Sequence, residues 1–499
     1  MFERTSGILL HIASLPGPYG IGSLGQNARQ FVDFLEAAGQ RYWQILPLVP
    51  VGLGNSPYMS TSSAAGNPLL IDLDALGELG LLTQEELNAV RVEDPDRVDY
   101  DFLNETRPAL LRKAFDRAGD ELRQAAQEFA KEQADWLPDY ALFTALHSHF
   151  DAPLQEWPDK SLIRRTKKSV EQYTELLKEE VEFHIFLQYL FHSQWTGLKT
   201  YANQKGVFII GDLPIYVSVD SADVWTHPEL FRLGAGRVPK FVSGVPADAF
   251  SATGQRWGNP LYDWAYHEKT GFDWWCGRIR HCLAFYDVIR IDHFRGFDTY
   301  WEIPAEEETA LVGKWKRGPG MKLIEAFREK VPEAEFIAED LGELNDTARQ
   351  FIKDSGLPGM RVMVDAFHDT WGESSFLPHN CPPDAVAYTG THDTPTFVQW
   401  LMEQAPEDQK QFAMDYLRLR VEEGLGWGVI SGAWATPCRL AVAPFQDVLG
   451  LGGDARMNTP GTVGDHNWSW RVRSEALNPD VSSRLRQITQ TYRRFRPLS

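Results

Sequence analysis

Eight short β-like runs punctuate the chain, and stretches of helical period separate most of them. They fall at 7–12, 41–48, 207–217, 287–294, 335–341, 360–367, 385–391 and 439–445. The stretch 26–38 sets Phe31, Phe34 and Leu35 at amphipathic spacing, and 272–285 carries Trp275 and Ile279. Further helices are expected at 345–354, 407–423 and 483–493. Alternating strands and helices imply a parallel sheet, because joining parallel neighbours takes a crossover long enough to hold a helix. Eight such units predict an α/β fold, a (β/α)8 TIM barrel. The fourth run has the character of a strand buried on both faces, with Val288, Ile289 and Ile291 apolar.

Two intervals are too long for plain crossovers. Residues 73–201 are rich in Glu, Gln, Lys, Ala and Leu and include Glu179-Glu180-Val181-Glu182, so they read as helical subdomains inserted between the second and third strands. Residues 218–264 are rich in Gly, Pro and aromatics with little periodicity, the composition of a lid or binding loop over a cleft. A single barrel domain over 1–499 accommodates both insertions. No internal repeat of solenoid period is present.

The chain has 49 basic against 69 acidic residues, a net charge of −20. That disfavours nucleic acid and anionic membranes as partners, since both need a basic footprint. Four cysteines (Cys276, Cys282, Cys381, Cys438) are too few and too irregularly spaced for a disulfide framework or a zinc site, and fit a reducing compartment. The apolar start at Gly7–Ala13 is short for a signal peptide and contains His11; a buried first strand is the better reading. No stretch approaches about 18 uninterrupted apolar residues. A cytoplasmic protein without a membrane span is expected. The 17 Trp, 16 Tyr and 28 Phe mainly build the core, but they also offer flat faces that suit pyranose rings.

In such a barrel the reactive groups stand at the carboxyl ends of the strands. The third run ends in Gly211-Asp212-Leu213-Pro214, and the fourth in Arg290, Asp292, His293 and Arg295. The fifth ends in Glu339-Asp340-Leu341-Gly342, and the seventh in Thr389-Gly390-Thr391-His392-Asp393. Asp292, Glu339 and Asp393 therefore converge on one mouth. Carboxyl groups so placed suit glycosidic-bond chemistry: an ionised one attacks the anomeric carbon and a protonated one donates to the leaving oxygen. Arg290 beside Asp292 should favour the charged form, and partial desolvation should keep a proton on Glu339. Asp340 or Asp393 alone could cap a helix, so the case rests on three strand ends agreeing. His11, His293 and His392 lack the paired spacing of a metal site; hydrogen bonding to sugar hydroxyls or to the structure is expected of them.

These residues sit in motifs spread over nearly the whole chain. They include Gly7-Ile8-Leu9-Leu10-His11, Gln44-Ile45-Leu46-Pro47-Leu48, Ser56-Pro57-Tyr58, Gly211-Asp212-Leu213-Pro214-Ile215-Tyr216-Val217 and Gln255-Arg256-Trp257-Gly258-Asn259-Pro260. Arg290-Ile291-Asp292-His293-Phe294-Arg295-Gly296, Ile337-Ala338-Glu339-Asp340-Leu341-Gly342, Thr391-His392-Asp393, Arg456-Met457-Asn458-Thr459-Pro460-Gly461-Thr462 and Asn467-Trp468 complete the set. Together, in this order, they resemble the 4-α-glucanotransferases of glycoside hydrolase family 77, called amylomaltase or disproportionating enzyme, within the α-amylase clan. The resemblance implies Asp292 as nucleophile, Glu339 as acid/base and Asp393 as transition-state stabiliser. It implies that Arg290 and His392 contact the nucleophile and the sugar beside the scissile bond. Tyr58, Asp212, Gln255, Trp257 and Asn467 match motifs lining donor or acceptor subsites, with Ser56 and Asp369 as weaker matches. It further implies maltooligosaccharides, starch or glycogen-derived α-1,4-glucans as substrates, no cofactor or metal, and a monomer or weak homo-oligomer.

The chain also departs from the family pattern. Ala247 and Ala249 stand where the family usually has Pro and Tyr, in a loop expected over the cleft. Thr394-Pro395-Thr396 follows His392-Asp393 where many members have Asn-Asp-Thr, and Val463-Gly464-Asp465-His466 is unusual before Asn467. Residue chemistry alone leaves a hydrolase on the same barrel, or a silent glucan-binding barrel, as rival readings; the resemblance favours the transferase.

Overall fold

The computed structural model describes residues 3–93, 96–247, 251–369 and 371–495. Its centre is a sheet of eight parallel strands: β1 (Thr5–Leu9), β2 (Tyr42–Gln44), β3 (Phe208–Leu213), β4 (Val288–Ile291), β5 (Phe336–Ala338), β6 (Met360–Val362), β7 (Val386–Tyr388) and β8 (Leu440–Pro444). Each strand except β5 pairs with its successor in the chain, and β8 returns to pair with β1. The fold is a (β/α)8 barrel, with one strand in every expected run. The strands are shorter than those runs.

Only the β5–β6 seam lacks a ladder. The Ala338 N–H donates to the Pro358 carbonyl at 2.9 Å. The Asp340 carboxylate accepts from the Met360 N–H at 2.6 Å and from Arg361 at 3.1 Å. Asp340 thus closes the barrel and caps no helix. Gly359 makes room for it, since a Cβ there would stand 2.2 Å from the Asp340 carboxylate.

The outer layer follows from amphipathic spacing. Helix Gln26–Ala37 buries Phe31, Val32 and Leu35. The Phe31 ring meets Trp43 of β2 and Phe445 edge-on, at 5.1 and 5.6 Å; pairs of this geometry add about 0.5–1.5 kcal/mol each beyond burial. Among the described residues eight α-helices run between β2 and β3, the last of which, Lys178–Gln204, leads into β3.

The interval 218–264 is more regular than its composition implied. Phe241–Val245 and Gln255–Pro260 are antiparallel strands, completed into a four-stranded sheet by Thr299–Pro304 and Lys314–Arg317. Gly244, Gly258, Pro260 and a register shift between Val242 and Gly244 hide the period of two. The sheet ties the segment after β3 to the segment after β4, on the carboxyl side of the barrel. Ala247 lies exposed at its edge, and Ala249 falls outside the described residues.

Among the described residues no helix is long and apolar enough to cross a membrane. The four cysteines are free thiols, all buried. Burial also pushes His11, His192 and His293 down to about 3 and His184 and His267 down to about 4. Unfolded, each would take a proton near pH 6.5. At these five sites the unfolded chain binds more protons between about pH 6.5 and 3, so they cost stability as pH falls through that window, outnumbering the raised carboxyls Asp292, Glu339, Asp365 and Asp447 that act the other way. The melting temperature is expected to drop steadily from pH 7 to pH 5 in a thermal scan; a flat profile would contradict this.

Candidate active site

The ladder sets the height of every site residue. Ile291 pairs with Ala338 across β4 and β5, so the next residues, Asp292 and Glu339, leave neighbouring strands at one level. Arg290 pairs with Asp212 across β3 and β4. Alternation then sends Arg290 and Asp292 to the same side, and the structure joins them at 3.1 Å. Past Ile291 the chain turns sharply: His293 takes a left-handed conformation, φ 49°, and starts a short 3-10 helix.

Arg290 is the hub. Its Nη1 lies 2.7 and 2.6 Å from the two Asp212 carboxylate oxygens, closer than to Asp292. Arg290 and Asp212 side chains are 3% and 0% exposed, whereas Asp292 is 25% exposed. Asp212 is therefore a buried clamp, and Asp292 faces the cleft. Tyr58 donates its hydroxyl to Asp212 at 2.8 Å and stands 2.9 Å from His392 Nε2. His392 lies 3.2 Å from Asp393, and the Tyr58 and His392 rings stack at 5.4 Å.

The three acids differ in environment. Burial pushes Asp292 up to about 7; Arg290 opposes this, while Asp212, Glu339 and Asp393 add to it. Arg290 does favour the charged form of Asp292, but burial outweighs it, and its closer partner is Asp212. Burial also raises Glu339, against Arg290 and two backbone donors, the Leu341 N–H at 2.9 Å and the His293 N–H at 2.7 Å. Asp393 differs. Burial pushes it up, but His392, the Asn458 amide at 2.7 Å and Arg290 together hold it well below the usual carboxylate range. In return Asp393 raises His392 despite its burial. Two carboxyls whose hold on a proton is strengthened thus face one that stays ionised.

The remaining expected residues are spread around the rim. Trp257 sets its ring edge-on to His293 at 4.9 Å and donates its indole N–H to Gln255 at 3.1 Å. A Cβ on Gly461 would touch Gln255, and one on Gly54 would press on Val463, so the segments after β2 and β8 and the antiparallel sheet meet at the rim. Ser56 accepts from the Tyr58 N–H at 3.2 Å, inside its own turn. Asn467 is 2% exposed and bonds Thr459 and Thr462, so it braces the segment after β8. Asp369 accepts from the Trp371 and Glu373 N–H groups at 2.8 and 2.7 Å, capping a turn after β6.

Residue patterns missed three contributors. Asn458 and Arg456 hold Asp393, Arg456 through the Asp393 carbonyl at 2.9 Å. Their motif is conspicuous in the sequence, but nothing in it reveals a contact with a residue more than sixty positions earlier. His293 serves Glu339 through its main chain, which side-chain chemistry cannot signal. Among the described residues no group of three His, Cys, Asp or Glu is placed to hold a metal ion.

Partly buried acids at the mouth of a parallel barrel, two with raised and one with lowered proton affinity, are the equipment of an enzyme that works on glycosidic bonds. The comparisons specify which. The family model described as 4-alpha-glucanotransferase matches residues 10–477, and the chain belongs to that family. Curated 4-alpha-glucanotransferases from Thermus thermophilus and Clostridium butyricum are 46% and 44% identical to it. Their alignments cover 99% and 97% of this chain and 99% and 100% of theirs. The solved amylomaltase from Streptococcus agalactiae, in complex with acarbose, superposes with a TM-score of 0.96 at 42% identity, over 99% of this chain and 100% of that one. The activity is transfer of α-1,4-linked glucan.

Proposed function

We propose that the protein is a retaining 4-α-glucanotransferase in which Asp292 carries the glucan. Asp292 attacks C1 of the donor sugar while the bond from C1 to the leaving O4 breaks and Glu339 gives that oxygen its proton. In the second half, an acceptor's 4-hydroxyl attacks C1, its proton passes to Glu339, and the bond to Asp292 breaks. The observation that carries this reading is the hub at Arg290. Bonded to Asp292 at 3.1 Å, it draws negative charge there and so favours the shared proton on Glu339. Asp393, held ionised beside His392, faces the positive charge that develops at the ring.

Transfer in place of hydrolysis needs an acceptor site kept from water. Trp257 and Gln255, on the antiparallel sheet beside the acids, supply an aromatic face and an amide for the acceptor sugar. Maltooligosaccharides and longer α-1,4-glucans are the proposed substrates. The family resemblance and the absence of a disulfide framework support action in the cytoplasm as a monomer or weak homo-oligomer. Incubation with maltotriose tests the reading: glucose together with maltopentaose and longer oligomers is expected on chromatography. Shortening alone would make the protein a hydrolase.

A further inference from the structure

We propose that His293 is a positioning residue for the acid/base, acting through its main-chain N–H and the left-handed turn that aims it. This rests on the reading of Glu339 as acid/base. Each Glu339 oxygen is tethered by one backbone donor, Oε2 by the His293 N–H at 2.7 Å and Oε1 by the Leu341 N–H at 2.9 Å. With both ends held, the carboxyl cannot swing about its own axis. The proton it delivers therefore comes from a fixed direction. The Leu341 contact is local, two residues along the same loop. The His293 contact crosses from β5 to β4 and sets the acid relative to Asp292, the residue just before His293.

The aim of that N–H depends on an uncommon backbone. His293 has φ 49° and ψ 45°, a region that histidine and asparagine enter more readily than most side chains and β-branched residues resist. The surroundings pin it there. The half-buried ring stands edge-on to Trp257 at 4.9 Å. On the other side it closes on Gly296, where an added Cβ would lie 3.0 Å from its Cδ2. The 3-10 helix Phe294–Phe297 is anchored to the same loop: the Phe294 N–H donates to the Glu339 carbonyl at 3.2 Å, and Arg295 donates to the Glu343 carbonyl. A sugar resting on Trp257 would therefore press on the turn that holds the acid, which links acceptor binding to the proton donor.

The test uses two donors. Maltotriose needs a proton on its leaving oxygen, whereas α-maltotriosyl fluoride loses fluoride as an anion and needs none. His293→Val should cut transfer from maltotriose by about 100-fold, the scale of a misplaced general acid, with the first burst of fluoride release staying within about threefold. His293→Asn, which accepts the left-handed turn, should keep both rates within about threefold. His293→Ala covers the case in which the valine variant fails to fold, with a smaller maltotriose loss and the same split between donors. Equal losses on both donors, or a valine variant as fast as the parent on maltotriose, would overturn the proposal. Failure of the underlying reading shows separately: Glu339→Gln would then transfer from maltotriose at the parent rate.

Discussion

Replacing Asp292 with asparagine is expected to reduce transfer from maltotriose by about 10⁴-fold or more, equivalent to roughly 5.5 kcal/mol of barrier, with the fold intact. The amide has the same shape but lacks the lone-pair charge that attacks C1, so no glucosyl-enzyme forms. Arg290 keeps Asp212 at 2.6 Å and the hub does not collapse. Stability should move the other way. Burial raises Asp292 to about 7, so the folded chain holds a proton that the unfolded chain, with its ordinary carboxyl near 3.9, has already released. Stability is therefore lost as pH rises from about 4 to 7, and the amide removes that loss. At pH 8 the variant should melt higher than the parent while being nearly inactive, the pattern of a site that keeps a charge buried for function. Near-parental turnover would remove Asp292 from the role of nucleophile.

The barrel was legible because its signals are local. Eight apolar runs separated by helical spacing declare alternating strands and helices whatever lies between them, and the carboxyl ends of the third, fourth, fifth and seventh runs carry the polar residues. Ladder registry then makes Asp292 and Glu339 neighbours with no further information. What stayed hidden was non-local. The antiparallel sheet joins Phe241–Val245 to Thr299–Pro304, two segments separated by a helix pair and β4, and glycines and prolines blur its alternation. Asp340, which bonds across the seam to Met360, read as a possible helix cap, since its true partner is a backbone N–H twenty residues away. The sharing of Arg290 was equally invisible. Spacing of two on one strand announces the Arg290–Asp292 pair, but Asp212 arrives from a strand nearly eighty residues earlier and binds more tightly.

That sharing yields the second large expectation, because Arg290 serves stability and catalysis through different partners. Arg290→Met leaves the buried Asp212 and the half-buried Asp292 without their cation. Breaking one partner from a buried pair costs about 3–5 kcal/mol, so the variant should melt well below the parent, and turnover should fall by roughly 10³-fold through loss of the charge that steadies Asp292. Adding Asp212→Asn separates the two effects. An amide at that position needs no cation and can still accept from the Tyr58 hydroxyl, so the double variant should regain most of the melting temperature and none of the turnover. Asp212→Asn alone leaves Arg290 with Asp292 as its one carboxylate and removes a negative neighbour that raises Asp292. The Asp292 carboxyl then ionises at lower pH, and the acid limb of the kcat/KM profile should shift downward. Recovery of activity in the double variant would mean that Arg290 acts on the reaction only by neutralising Asp212; recovery of stability alone places its catalytic effect at Asp292.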